Sequence, residues 1–429
     1  MNDLYSKDIP VNVPTDQVSA FAHCLRAEVQ RNPGWTLTAR RDEQNLTTHL
    51  YFHQRDPIPF TLHMPWRFQE GLTSVTLLVG RTDVQQAVGF AVDLKALAPG
   101  QLEDAAESAR HLIQAASERH RRAELRDYDI VCPVVTDHGN RVSGRYRFGP
   151  FGLIPEDPET ALRIEPEGRL AFTVGAIDEE HAQEVAHGQA IIGSAFLTLA
   201  TRTRVVIRRG PGRGVFSPPV PHEPGTLEAL WPRFRDGIIV SVKRPQLGPP
   251  HTQGWLPVPS DIAELYGRYA GLTGEFRRAF TNAILAYQTA LDLWGTYDTL
   301  AAVGFVTALN TLAPPVESLR ECPDCGRQER VPSHRQSIHQ LITGHVPLDA
   351  TDERQMLRFV DRIYGETRSG YVHEGQLRGR ELVGSYWGTR FFPDAEGLVP
   401  QGERFREDIR SLESITNAVL VSWLLRAAI

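Results

Sequence analysis

The sequence predicts an α+β protein in which a mixed N-terminal half precedes an all-helical C-terminal domain. Three observations carry that prediction. Short apolar runs bounded by Asp, Pro and Gly crowd the first 80 residues. Apolar residues at three- and four-residue spacing dominate from residue 259 onward. A Pro/Gly-rich stretch over 244–258, unable to continue a helix or a central strand, divides the two.

Taken in order, Thr15 to Val29 spaces its apolar residues as a helix does, opening at a capping threonine and closing near Asn32-Pro33-Gly34. Strands are expected at 35–39, 46–52, 58–62 and 75–79, and a second helix from Leu102 to Arg122, whose basic end suits a helix C-terminus. These make a first α+β domain over 1–127. A second mixed block, 128–243, opens with Tyr128-Asp-Ile-Val-Cys132-Pro-Val134. It continues through strands near Arg145 and at 169–174, a helix from Asp178 to Ala200 and a buried strand from Thr203 to Arg208. After the linker, Ser260 caps the first helix of the domain spanning 259–429. Pro314-Pro315, a cysteine loop and the stretch 376–402 interrupt it. Its closing helix steps through Phe405, Ile409, Leu412, Ile415, Val419 and Trp423, as one wall of a bundle.

Composition narrows the class. A chain of 429 residues exceeds one comfortable core, so two or three domains are expected. A hydrophobic share of 41% and a charged share of 23% are those of a globular protein. No apolar run approaches the roughly 20 residues that span a bilayer, and Met1 to Lys7 lacks a signal peptide's apolar core, so a cytoplasmic protein is expected, with no membrane partner. Four cysteines make no disulfide framework; Cys24 and Cys132 read as small buried residues. A net charge of -6 argues against a dedicated nucleic-acid coat but leaves room for a local basic patch. Only three of the 46 basic residues are lysines, which discounts any one arginine cluster as a signal. The crowded Arg202, Arg204, Arg208, Arg209 and Arg213 accordingly read as a solvated strand end and turn, and His49, His53 and His63 as ordinary sheet residues. Gly210-Pro-Gly-Arg-Gly214 lacks the Gly-Lys-Ser/Thr of a phosphate-binding loop.

The chemistry concentrates in Tyr364-Gly-Glu-Thr-Arg368-Ser369-Gly370-Tyr371-Val372-His373-Glu374-Gly375. A helix from Thr351, its cap, through Asp352 and Glu353 to Tyr364 delivers this segment. Arg368 keeps its charge at any working pH and can fork onto a phosphate, while His373 passes protons near neutrality. On one straight helix the two would stand about 140° apart. Either Gly370 breaks the helix or two copies of the chain share the site.

Arg-x4-His after a helix bearing an aromatic resembles the signature of HEPN-domain ribonucleases, the Apea-like HEPN family in particular. The helices Phe276 to Leu291 and Val303 to Leu312 are similar to that family's paired helices, and Cys322-Pro-Asp-Cys325-Gly326 to a cysteine pair of some members. The resemblance covers roughly 259–429. It implies a helical HEPN bundle that acts as a metal-independent endoribonuclease, with no cofactor for catalysis and catalytic roles for Arg368, Ser369 and His373. It further implies a homodimer and an RNA substrate, tRNA among the candidates. The role would be that of a toxin or anti-phage abortive-infection effector, answering an unknown activating ligand or phage component through a sensor-like N-terminal region. Ser369 stands where catalytic relatives often have Asn, Asp or His, and Asn310 where relatives often have glutamate, so a non-catalytic nucleotide-, RNA- or protein-binding HEPN module is the alternative. Cys322 and Cys325 have the turn of half a zinc knuckle. The pair is read either as a structural zinc site, completed by His334 and His339 or by a second chain, or as a surface turn with two reduced thiols.

Overall fold

Ten residues at the start of the chain, Leu4–Val13, form β1, a strand that the sequence pattern hides because Pro10 and Asn12 interrupt its apolar positions. In the computed structural model, residues 4–14, 17–31, 35–42, 47–54, 60–67, 72–80, 100–136, 140–155, 167–207, 219–223, 236–241, 254–321, 328–347, 350–365 and 399–427 are described. The chain divides into two units. Unit 1 comprises 1–128, 173–188 and 218–222; unit 2 comprises 129–172, 189–217 and 223–429. The stretch read as a second block over 128–243 is therefore shared between them.

Unit 1 is built on an antiparallel sheet in the order β1-β5-β4-β3-β2, with β2 at Trp35–Asp42, β3 at Thr47–Gln54, β4 at Phe60–Arg67 and β5 at Leu72–Gly80. Four strands run as a meander, and β1 closes the edge against β5. In β5, Val75, Leu77 and Val79 are buried while Thr76 and Leu78 are half-exposed, the period-two alternation of a sheet covered on one face. Helices α1 (Val18–Arg31) and α2 (Gln101–Arg122) supply the cover. Phe21, Leu25 and Val29 of α1 join Ala105, Ala109, Leu112 and Ile113 of α2 in one core with Leu62, Met64 and the buried side of β5. Between Pro10 and Val13 the register of β1 slips, and Asn12 takes a left-handed backbone with φ 52°.

The second sheet runs β10-β6-β9-β8-β7, with β11 beside β6. Its strands are β6 (Arg126–Thr136), β7 (Tyr146–Phe148), β8 (Phe151–Pro155), β9 (Glu167–Ala176), β10 (Val205–Ile207) and β11 (Val220–Pro221), and α3 (Glu179–Thr201) follows β9. Within unit 2, Tyr266 and Phe196 sit at the middle of a run of rings that includes Phe148, Phe151, Tyr269 and Phe280. Gly149, at φ 55°, has the Tyr266 ring laid directly on it, so any side chain there would occupy the space of the ring. The end of the Pro/Gly-rich linker does pair: β12 (Ile239–Val240) lies parallel to β13 (Val258–Pro259).

The helical part of unit 2 contains α4 (Ile262–Gly271), α5 (Gly274–Leu293), α6 (Asp298–Leu312), α7 (His334–His345), α8 (Ala350–Ile363) and α9 (Val399–Arg426). Two details depart from the sequence reading. Asp261, not Ser260, holds the position before α4, and α8 begins at Ala350, which puts Thr351 inside its first turn. Nor is the half all-helical, since β14 (Glu317–Glu321) and β15 (Gln328–Pro332) pair antiparallel between α6 and α7.

The larger departure is α9. It packs against α4, α5, α6 and α7, and every residue from Leu412 to Ser422 is buried, so it is the centre of the bundle and not one wall. A helix buried all round is ordinarily apolar. This one carries Glu413, Ser414, Thr416 and Asn417 inside, and their partners explain how it can. Arg202 Nε donates to Glu413 Oε1 at 3.0 Å, and its Nη2 reaches both Glu413 Oε2 and Ser414 Oγ. Tyr287 donates its hydroxyl to Glu413 Oε1, and Asn417 Nδ2 donates to the Leu199 carbonyl at 2.7 Å. Burial works against the Arg202 charge, but the Glu413 carboxylate outweighs it and raises the guanidinium's pKa; burial first, then that carboxylate, drives the Tyr287 hydroxyl far above its usual value. The Arg202 backbone is left-handed, at φ 54°, a conformation that costs about 1–2 kcal/mol for a residue with a Cβ.

Removing one partner of such a pair strands the other's charge. Glu413→Ala is expected to lower stability by about 3–5 kcal/mol, and Tyr287→Phe by about 1.5–3 kcal/mol. The combined Arg202→Leu, Glu413→Leu, Tyr287→Phe chain should lose less than Glu413→Ala alone. Urea unfolding followed by tryptophan fluorescence checks this, and a Glu413→Ala protein as stable as its parent would show that the pair does not secure α9.

Candidate functional site

The segment singled out by its chemistry leaves the end of α8. Arg368, Ser369 and His373 lie outside the described residues, as do Cys322 and Cys325, which fall between β14 and β15. The structure therefore defines what holds the helix that leads to them. Val360 and Ile363 are buried, Met356, Leu357 and Phe359 half-buried, and the first turn with Asp352 and Glu353 is mostly exposed, so only the second half of α8 is anchored.

Two adjacent residues anchor it from two directions. Asp361 accepts hydrogen bonds from Arg335, through Nε and Nη2, and lies 2.7 Å from His339 Nε2; both partners stand on one face of α7 at i and i+4. The Asp361 carboxylate raises the pKa of Arg335. Arg362 forks onto Asp408 of α9, Nη1 to Oδ2 at 2.7 Å and Nη2 to Oδ1 at 2.9 Å, while its guanidinium lies 5.5 Å from the centre of the Phe359 ring. The last turn of α8 is thus tied to α7 and α9 at once, immediately before Tyr364 and Gly365 wind into a wider, π-type turn.

His339, read above as a zinc-ligand candidate, spends Nε2 on Asp361, and His334 is exposed at the start of α7. Among the described residues no group of three or more His, Cys, Asp or Glu side chains could hold a metal ion. No helix of the described residues is long and apolar enough to cross a membrane. Cys24 and Cys132 are buried and free; burial pushes the Cys132 thiol up to about 12, which keeps it unreactive. Asn310 is half-exposed in the last turn of α6.

Sequence reasoning missed the set Arg335, His339 and Asp361. Its only signal was the i, i+4 pair on α7, because the carboxylate that joins them arrives from another helix. Arg202 was also misread. It is buried and paired with Glu413, while Arg204 binds Asp292 at the surface.

Unit 1 holds a second polar cluster. His181 Nε2 lies 3.0 Å from Ser19 Oγ, the Asp178 carboxylate caps α3 by accepting from the His181 amide at 2.9 Å, and His23 Nε2 lies 2.9 Å from Asp178 Oδ2. The residue types are those of a hydrolase triad, but the hydrogen bonds run the wrong way. The Ile177 amide donates to His181 Nδ1 at 3.1 Å, so the neutral ring carries its proton on Nε2 and donates it to Ser19. A general base must accept at that position. The cluster is a helix cap, not a nucleophile.

Family models, curated proteins and solved structures were compared with the chain, and none matches it.

Two outcomes follow from this geometry. Asp361→Ala breaks exposed or half-exposed pairs worth about 0–1 kcal/mol each, so global stability should barely move. Amide hydrogen exchange in the last turn of α8 should nevertheless rise while that of Leu412 to Ser422 stays slow. Unchanged exchange in α8 would mean that Asp361 does not anchor it. Burial first, then the charge of His23, lowers the His181 pKa to about 4. That lies below the unfolded value of about 6.5. The unfolded chain therefore binds the extra proton, and this contribution to stability, complete above about pH 6.5, is lost as pH falls toward 4. The melting temperature should drop between pH 7 and 5 by less in His181→Gln than in the parent; equal drops would remove His181 as the cause.

Proposed function

We propose that the chain is a metal-independent endoribonuclease of the HEPN type, with Arg368, Ser369 and His373 as its catalytic residues. The observation that supports this reading is the anchored end of α8, from which the Arg-x4-His segment departs within a helical bundle. Catalysis by positioning needs such a rigid approach, since a displacement of about 1 Å at the reacting groups can cost about a hundredfold in rate.

In the proposed reaction the ribose 2′-hydroxyl attacks the adjacent phosphorus as its proton passes to a base. The P–O5′ bond breaks, the departing 5′-oxygen takes a proton, and the products are a 2′,3′-cyclic phosphate and a 5′-hydroxyl. His373 serves one of the two proton transfers and Arg368 stabilises charge on the pentacoordinate phosphorus. Ser369 orients the imidazole or the phosphate. Pairing of two chains would bring two motifs to one groove, which removes the 140° separation that one straight helix imposes. In this reading the chain is a homodimeric toxin or anti-phage effector acting on RNA. Zinc at Cys322 and Cys325 would brace the stretch before α7.

The test is incubation of the purified protein with total tRNA and with an unstructured RNA in excess chelator, followed by end-group analysis, beside Arg368→Ala and His373→Ala. Cyclic-phosphate ends from the parent, reduced at least about a hundredfold in both variants, are expected. RNA binding without products by the full chain, which is also harmless in cells, would replace the enzyme with a binding module.

A further inference from the structure

A cleft of about 850 Å³ opens within unit 1 between β1, α1 and α2. That volume is within the range of small-molecule sites. Its α2 side is one helical stripe, Arg110, Ile113, Gln114, Ser117, His120 and Arg121. The opposite side is the bulged end of β1 from Ile9 to Pro14, continued by Gln17 and Phe21 of α1. Among the described residues that line it there is no Asp or Glu; Glu107 and Glu118 stand next to it on α2, bonded to the lining residues Arg110 and Gln114.

The arginines of α2 differ in their commitments. Arg110 is paired with Glu107, Arg119 with Glu28 and Arg122 with Glu118. Arg121 has no carboxylate partner among the described residues, and it lies at the end of the cleft beside His120. The floor is apolar, with Ile9, Phe21 and Ile113 buried, and Leu125 stands 56% exposed at the same end. Between them, Asn12 and Gln17 present amide groups for which no hydrogen bond is formed among the described residues. Asn12 takes the left-handed conformation at the bulge, one that asparagine tolerates better than most residues.

We infer that this cleft binds a small organic phosphate of nucleotide type, with its phosphate at Arg121 and its heterocycle lying between the apolar floor and the amides. An unpaired guanidinium forks onto phosphate oxygens. The amides favour a hydrogen-bonding base and sugar over an acyl chain. From Arg121 back to Arg110 the stripe runs eleven residues, about 16 Å, long enough for the whole ligand. The site belongs to unit 1 and stands apart from the ribonuclease reading.

Calorimetric titration of the full chain with the four ribonucleoside 5′-monophosphates and with the matching nucleosides tests it. At least one nucleotide should bind, its nucleoside at least about tenfold more weakly. Arg121→Ala should reduce the nucleotide to the nucleoside's affinity, and Arg121→Lys should recover part of the loss, both with the parent's melting profile. Three results overturn the inference: no binding of any of the four, equal binding of nucleotide and nucleoside, or full binding by Arg121→Ala. The last would place the nucleotide elsewhere, a site in the bundle included.

Discussion

Glu413 cannot face water and cannot face an apolar wall, and that constraint governs the whole of unit 2. It sits 2% exposed in the stretch of α9, Leu412 to Ser422, that is buried on every side. An uncompensated carboxylate there is worth several kcal/mol of destabilisation, more than any one apolar contact of α9 returns. Arg202 and Tyr287 supply the compensation, and Arg202 does so from a strained left-handed backbone that a glycine would adopt freely. The strain costs about 1–2 kcal/mol and the stranded charge more, so the arginine wins. A buried ion pair adds little net stability over a well-packed apolar substitute; what it adds is register. Only one seating of α9 puts Glu413 against both Arg202 and Tyr287 while Asn417 reaches the Leu199 carbonyl.

That register carries forward to α8. Asp408 lies five residues before Glu413 on the same helix, and it is the partner of Arg362. Fixing α9 about its axis therefore fixes where α8 can dock, and Asp361 then selects the face of α7 that α8 meets. Each ion pair outside the core is weak, on the order of 0–1 kcal/mol. Their effect is directional: the last turn of α8 cannot rotate about its axis without giving up contacts to both neighbours.

Much of this was legible in the sequence and some was not, for identifiable reasons. The period of three and four residues located α1, α2 and α3, the resemblance pointed to α5 and α6, and the short apolar runs bounded by Asp, Pro and Gly located β2 to β5. β1 escaped because Pro10 and a bulge at Asn12 break its alternation, and β14 and β15 because their Glu317-Ser-Leu-Arg-Glu and Gln328-Glu-Arg-Val-Pro are too polar to read as strands. α9 was read as a wall because Glu413 and Asn417 look like a solvated face, and nothing local says that their partners come from residues 126 to 218 positions away. The candidate segment at 368–373 was singled out by residue types and by the resemblance, and it lies outside the described residues. Its supports were not legible, since Asp361, Arg335 and His339 acquire meaning only when two helices meet.

Arginine abundance deserved a discount in the sequence, and pairing shows how to apply it. With 52 acidic residues in the chain, the default use of an arginine here is as a carboxylate partner. Arg26 takes Glu184, Arg145 takes Asp236, Arg202 takes Glu413, Arg204 takes Asp292, Arg335 takes Asp361 and Arg362 takes Asp408. An arginine so engaged is part of the scaffold, whatever its neighbours in sequence suggest. The clusters that draw the eye in a linear reading, such as 119–122 or 202–213, therefore have to be resolved residue by residue. In the first, Arg119 and Arg122 are scaffold by that criterion. Arg121 differs from them in lining a cleft and in having no carboxylate partner among the described residues, and a guanidinium so placed is the arrangement that recognises an anion from outside the chain.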